Sequence, residues 1–160
     1  MYNYNYDYGY NNAADMQALA GVALVFVVIF WIIALAAMVL MFISYYKLFK
    51  KMGLEGWKGL IPTVNTYLQM EKTGVSQKWL LVFTFGSFIA IIPILGWIAL
   101  LVAGIYFWIL LNVSLAKAFR KETGFAVGLC LLPVVFYPIL AFGPSTYAGP
   151  NPMNDIIFKN

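Results

Sequence analysis

The chain has 160 residues, 63% of them hydrophobic and only 10% charged, whereas a soluble domain carries about 25% charge. One domain of that size has too few polar groups to cover its apolar surface in water, so the composition excludes an ordinary soluble globule and points to lipid as the solvent. The net charge of +4 is carried mainly by two clusters whose placement fits a membrane surface and not nucleic acid, and with no histidine and one cysteine, Cys130, neither an intrachain disulfide nor a metal or cofactor site is expected.

Residues 1–16 begin with an alternating Tyr/Asn tract and contain Asp7 and Asp15 but no Lys or Arg. A secretory signal needs a basic start and a short apolar core, so this segment reads as a disordered external tail; a sticky interaction element is the alternative. The first span follows as an uncharged run over 18–46. As a helix it measures about 43 Å against a hydrocarbon thickness of about 30 Å, enough to cross with tilt or to protrude by a turn or two.

Lys47, Lys50 and Lys51 end that run, and the loop to Lys78 carries Leu54, Trp57, Leu60 and Ile61 beside Lys58. An apolar strip with Trp and flanking lysines suits a segment in the inner headgroup layer, where each lysine gains about 1 kcal/mol from anionic lipid. Topological marking by cations alone is the plainer alternative. Pro62 predicts the start of a short helix that runs through Thr73 and stops at Gly74.

The next uncharged stretch, from Trp79 to Ala116, is too long for one crossing, and Ile92-Pro93-Ile94-Leu95-Gly96 offers a break. Two helices over 79–94 and 96–116 are expected. Lys117, Arg120 and Lys121 follow, and the final apolar run over 125–142 is just long enough to span, although Pro133 and Pro138 free backbone carbonyls that need other partners. A re-entrant fourth segment with a cytoplasmic C-terminus is the alternative. Residues 143–160 read as an external tail.

The cations test this parsing. If 79–116 is a hairpin, every cation except Lys159 falls on one side, whereas a single helix would put the two basic clusters on opposite sides. The positive-inside rule selects the hairpin and makes both clusters cytoplasmic. The expected architecture is an all-α polytopic protein of the plasma membrane. It has four transmembrane helices, a short interfacial or re-entrant segment after the first, and both termini on the non-cytoplasmic side.

Lys47-Leu-Phe49-Lys50-Lys51 after the first span is echoed by Lys117-Ala-Phe119-Arg120-Lys121 after the third. With one residue inserted, Gly53 aligns with Gly124, Leu54 with Phe125, and Leu60-Ile61-Pro62 with Leu131-Leu132-Pro133. A tandem pair of two-span units in the same orientation accounts for the match; the common habit of cytoplasmic helix ends to collect Lys, Phe and Gly is the rival account.

The stretch Tyr45-Tyr46-Lys47-Leu-Phe49-Lys-Lys51-Met-Gly53-Leu-Glu-Gly56-Trp57-Lys58-Gly-Leu-Ile61-Pro62-Thr-Val-Asn65 resembles a family of small prokaryotic multi-span proteins built on an uncharacterised domain, found alone or joined to proteins similar to signal peptidase I. Phe119, Gly124-Phe125, Gly128, Leu132-Pro133, Phe136-Tyr137-Pro138-Ile139-Leu140 and Gly143 extend the likeness, which covers about residues 40–148. The resemblance implies a membrane fold and brings no activity.

Catalytic constellations are scarce. All six acidic residues lie outside the expected spans, which speaks against an ion-coupled carrier. A Ser/Lys hydrolase needs a serine beside a lysine base, and the only pairing on the outer face is Ser145 or Thr146 with Lys159. Within the spans, Thr84, Gly86, Ser87 and Ala90 mark the second helix, and Gly104, Trp108 and Asn112 form a stripe on the third. Helix packing explains them, with a pore or ligand cavity through Asn112 and Thr84 as the alternative. Lys47, Lys50, Lys51, Trp57, Lys58, Lys117, Arg120 and Lys121 are the candidate lipid-facing residues.

The expectation for function is a non-enzymatic adaptor or accessory subunit. Its expected partners are the bilayer, anionic lipid at the cytoplasmic face, and another membrane protein or a second copy of the chain. A homo-oligomeric channel or uncoupled facilitator is the alternative, and an embedded hydrolase a third.

Overall fold

The computed structural model of the chain describes residues 12–89, 94–151 and 153. Among the described residues every regular element is helical: α1 (Asn12–Lys51), a 3-10 turn (Gly56–Leu60), α2 (Pro62–Thr73), α3 (Lys78–Ile89), α4 (Leu95–Ala118), α5 (Thr123–Leu131) and α6 (Pro133–Phe142). Met16–Lys51 and Leu95–Ala118 are long and apolar enough to cross a membrane. The first expected span thus lies inside α1, which already includes residues 12–16 of the expected tail. The Tyr/Asn tract up to residue 11 lies outside the described residues.

The chain divides into two compact units, one ending at Met38 and one beginning at Val39. In the first, residues 16–38 of α1 are exposed around the whole circumference, apart from half-buried Ala34 and Ala37. Large apolar side chains point in every direction: Phe26, Phe30, Trp31 and Leu35 are each more than half exposed. Such a helix has no polar face to offer to water and finds its favourable solvent in hydrocarbon.

The second unit contains the packed core. Pro62 opens α2 because its fixed φ suits the first helical position and its missing N–H removes a donor that would be orphaned there. The ring also drives Ile61 to an extended φ of −92° and ψ of 112°. Gly74 ends the helix at φ +78° and donates its N–H to the Met70 carbonyl. These bounds match the helix that the spacing of Pro62 and Gly74 predicts.

α3 and α4 pack antiparallel. Trp79 stacks on Tyr106 and Phe107 at 5.5 and 5.7 Å between ring centroids, while further along α3 a Cβ placed on Gly86 would lie 2.6 Å from Leu100. The chain therefore folds back between them as the break at 92–96 predicts, and Ile94 takes a φ of 68° immediately before α4. Residues 90–93, Ala90 and Pro93 among them, are outside the described residues.

The fourth expected span differs. Residues 125–142 form two short helices, α5 and α6, separated at Leu132 (φ −131°, ψ 61°), which the following Pro133 keeps out of the helical region. The helices pack on each other: Phe125 meets Phe136 edge-on at 5.2 Å, and Gly128 lies against the Phe136 ring so closely that a Cβ would stand 2.3 Å from it. Both ends of the pair return to the last turn of α1. Lys51 Nζ donates to the carbonyls of Leu140 (2.8 Å) and Gly143 (2.7 Å), and Lys121, just before α5, is close enough to repel the Lys51 charge. Leu131 and Leu132 form the far tip, 74% and 58% exposed.

A continuous fourth crossing would have carried Gly143 away from Lys51. Residues 143–151 and Met153 also pack as a strap, not as a free tail. The Ala148 N–H donates to Ala118 O (2.8 Å), the Tyr147 hydroxyl to Lys72 O (2.6 Å), and the Met153 N–H to Ser114 Oγ (2.9 Å). One core joins Leu48 and Phe49 of α1 and Met52 just after it to Leu115 and Phe119, Leu129 of α5 and Leu140 of α6. A second joins Met70, Val75 and Trp79 to Leu110 and Leu111.

Candidate functional site

Polar side chains gather where α1, α2, α4 and α6 meet inside the second unit. Tyr137 is buried at 1% exposure and donates its hydroxyl to Asn112 Oδ1 (3.0 Å). Asn112, wholly buried, donates its Nδ2 to the Trp108 carbonyl (2.8 Å) one turn earlier on α4. Tyr45 and Gln69 make side-chain hydrogen bonds with Tyr137, and the Tyr45 and Tyr137 rings sit 5.0 Å apart. Four elements are joined by one network, and no buried side-chain nitrogen or oxygen among the described residues lacks a partner. A satisfied network of this kind fixes the helices relative to one another, because each group would cost about 1–3 kcal/mol if left unpaired.

Above the network lies a partly open cavity of about 240 Å³, lined by Phe42, Tyr45, Gly59, Leu60, Pro62, Asn65, Thr66, Gln69, Trp108, Leu111 and Tyr137. No ionisable acid or base lines it besides the two tyrosines. Asn65 Nδ2 donates to Gly59 O (2.7 Å) and the Thr66 hydroxyl to Pro62 O (3.0 Å), so Thr66 has spent its donor and keeps an acceptor oxygen, while Asn65 keeps its second amide hydrogen and its Oδ1. Trp108 lines the wall and sends its indole N–H to the Cys130 carbonyl (3.1 Å). That bond satisfies one of the carbonyls stranded by the break before Pro133.

The cationic residues divide by what they touch. Lys51 fastens the end of α6, as described. The Lys47 ammonium sits 4.0 Å over the Phe142 ring, Lys50 4.8 Å over Tyr46, and Lys121 5.4 Å over Phe125, contacts of the cation–π type. Trp57, half exposed, donates to Glu55 (2.7 Å), whose carboxylate also pairs with Lys58 at 3.5 Å. Lys117 is half-buried at the end of α4, and Arg120 is exposed with a φ of 54°. Lys47, Lys51 and Lys121 thus form one positive cluster at the joint ends of α1, α5 and α6. At the end of α2, burial and then the Glu71 charge hold the Tyr147 phenol above its ordinary pKa.

The expected packing residues also divide. Gly86 is a true close-approach position against Leu100, whereas a Cβ on Gly104 would meet nothing within 4 Å. Thr84 donates back to Leu80 O (2.8 Å) on the exposed side of α3 and does not line the cavity, so the pairing of Thr84 with Asn112 in one pore is not what the structure assembles. Asn112 lies behind the cavity wall, holding Tyr137. The Ser87 side chain lies outside the described residues. Ser145 Oγ donates to Leu140 O (3.3 Å), the same carbonyl that accepts Lys51, so both groups direct their protons to the backbone near the end of α6. Lys159 is outside the described residues.

Sequence reasoning missed Tyr45, Asn65, Thr66, Gln69 and Tyr137. A signal existed for two: Asn65 and Gln69 are four apart on a helix whose start and stop were legible, which puts both on one face. For the tyrosines no spacing marks which of the chain's 11 turns inward.

A family model described as a family of unknown function, DUF5684, matches residues 57–150, from the 3-10 turn through the strap. No curated protein and no solved structure matches the chain.

Proposed function

The chain belongs to DUF5684, a family of unknown function, and from that premise we propose that it is a multi-pass membrane protein acting without covalent chemistry, as an adaptor or accessory subunit that associates laterally within the bilayer. The observation that carries this reading is the helix over 16–38, apolar and exposed on every side. Hydrocarbon, the spans of a membrane partner, or a second copy of the same helix are the surroundings that match it.

In this reading α1, α3 and α4 cross the bilayer, and α5 with α6 enters and returns on the side of the basic clusters. The Lys51 bonds to Leu140 and Gly143 support a cytoplasmic C-terminus, opposite to a tail-out arrangement. The cluster of Lys47, Lys51 and Lys121 then faces anionic headgroups. A facilitator is the second reading, favoured by the cavity beside Asn65 and Trp108; its floor is closed by the Tyr137 network, which suits binding better than passage.

Two measurements test this. Accessibility reporters at residues 55, 122 and 147 should all answer from the cytoplasmic face; residue 147 answering from the other face removes the re-entrant scheme. Purification in mild detergent should recover a membrane partner or a defined homo-oligomer, lost when residues 16–38 are exchanged for an unrelated apolar span. Recovery of the monomer alone removes the adaptor reading.

A further inference from the structure

The cavity combines three properties that select a ligand. Its rim residues Phe42, Leu60 and Trp108 are apolar and 44%, 41% and 38% exposed, so in a bilayer the mouth opens sideways onto lipid. Its lining is mostly apolar with a few polar groups and carries no Lys, Arg, Asp or Glu, so a charged headgroup would enter without a counter-charge, at a cost of several kcal/mol. Of its polar groups, the Thr66 hydroxyl has given its hydrogen to Pro62 O and presents an oxygen, while Asn65, with one amide hydrogen on Gly59 O, keeps Oδ1 as an acceptor and its second N–H as a donor. A hydroxyl, which donates and accepts at once, answers both.

The basic cluster does not alter this choice. Lys47, Lys51 and Lys121 are turned to Phe142, the α6 carbonyls and Phe125, and none lines the cavity. Volume sets the size. A cavity of about 240 Å³ is near the lower limit of small-molecule sites and holds a small head with the first part of a chain, the remainder lying among the acyl tails outside.

We propose that this cavity is a lateral binding site for an uncharged lipid whose head is an alcohol, with the hydroxyl donating to Asn65 Oδ1 or Thr66 Oγ and the chain leaving between Phe42, Leu60 and Trp108. The site rests on the membrane reading above, and the experiment separates the two. The full chain is reconstituted in phosphatidylcholine vesicles and its resistance to alkaline extraction is recorded first; release into the aqueous phase would overturn the membrane reading itself.

Retained protein is then exposed to a dodecyl diazirine alcohol, and in parallel to the same chain ending in a methyl ether, a phosphate or a trimethylammonium group. The alcohol should label rim residues and be displaced by excess dioctanoylglycerol, and labelling should fall about tenfold when Thr66→Trp or Leu60→Trp fills the cavity. The ether and both charged probes should label only diffusely, at the level of the filled variants. Equal rim labelling by the methyl ether overturns the hydrogen-bond assignment, and preferred labelling by a charged probe, or no displacement by dioctanoylglycerol, overturns the site. The probe comparison uses only the wild-type chain, so it decides even if a filled variant does not fold.

Discussion

The segments 53–74 and 124–143 share one backbone plan and differ in what they do with it. Each has a glycine soon after a basic helix end, forms a short helix, leaves the helical region at the residue before a proline, and continues as a helix opened by that proline, Pro62 in one and Pro133 in the other. The first half places Asn65, Thr66 and Gln69 on its second helix, and the second half places Phe136, Tyr137 and Leu140 on its own. One segment therefore supplies much of the polar wall of the cavity, while the other supplies core packing beside it and the buried hydroxyl that binds Asn112. The plan comes from backbone chemistry that any sequence with Gly and Pro at those places obeys, and side chains are free to diverge on it.

Substitutions can break this comparison with graded force. Gly128→Leu should do most damage, because the added side chain meets Phe136 in the second hairpin. Overpacking of this kind costs about 1–3 kcal/mol or more, read as a lower midpoint in SDS-driven unfolding by circular dichroism. Tyr137→Phe should follow, since it leaves Asn112 Oδ1 buried without its donor, a loss of about 1–3 kcal/mol. The double change Tyr137→Phe with Asn112→Leu should recover, in the same titration, only the part of that loss that comes from Asn112 Oδ1, because Tyr45 and Gln69 still lack the Tyr137 hydroxyl and the Trp108 carbonyl loses its Asn112 donor.

Lys51→Met comes next. It removes the donor to Leu140 and Gly143, and limited proteolysis should begin to cut the strap between residues 143 and 151 while the α3–α4 hairpin stays protected. Lys51 is partly exposed, so water replaces some of what is lost, and the global midpoint should move less than for Tyr137→Phe. The smallest effect sharpens the likeness instead of breaking it. Pro62→Ala and Pro133→Ala should each lower stability by about 0.4–1 kcal/mol, mainly through a freer unfolded chain. Closely similar values for the two would support the shared plan; a large cost at one site alone would set the halves apart.

Much of the fold was legible from particular residues. Pro62 and Gly74 marked α2 to the residue, because their backbone preferences are intrinsic and need no neighbours. The break at 92–96 announced the α3–α4 hairpin, since an uncharged run from 79 to 116 is far longer than a bilayer is thick. Asn112 stood out as a polar group in an apolar run and Trp108 as its neighbour on one stripe, and both belong to the site. Thr84 and Gly104 stood out equally and do not, because a stripe on one helix does not reveal which neighbour faces it.

Composition and charge placement by themselves determined that this chain is all-helical, that it carries helices fit for hydrocarbon, and that its cations gather at two helix ends. Those are one-dimensional properties: an apolar run or a lysine cluster has the same solvation energy wherever the rest of the chain goes. Only the tertiary structure decided that residues 125–142 double back at Leu132, that the strap returns to Lys51, and that Tyr45, Gln69, Tyr137 and Asn112 meet. An apolar run of 18 residues can cross a membrane or fold on itself at nearly the same cost of burial. The choice between them rests on contacts between residues far apart in the chain, such as Lys51 with Gly143 and Trp108 with Cys130, which no local pattern encodes.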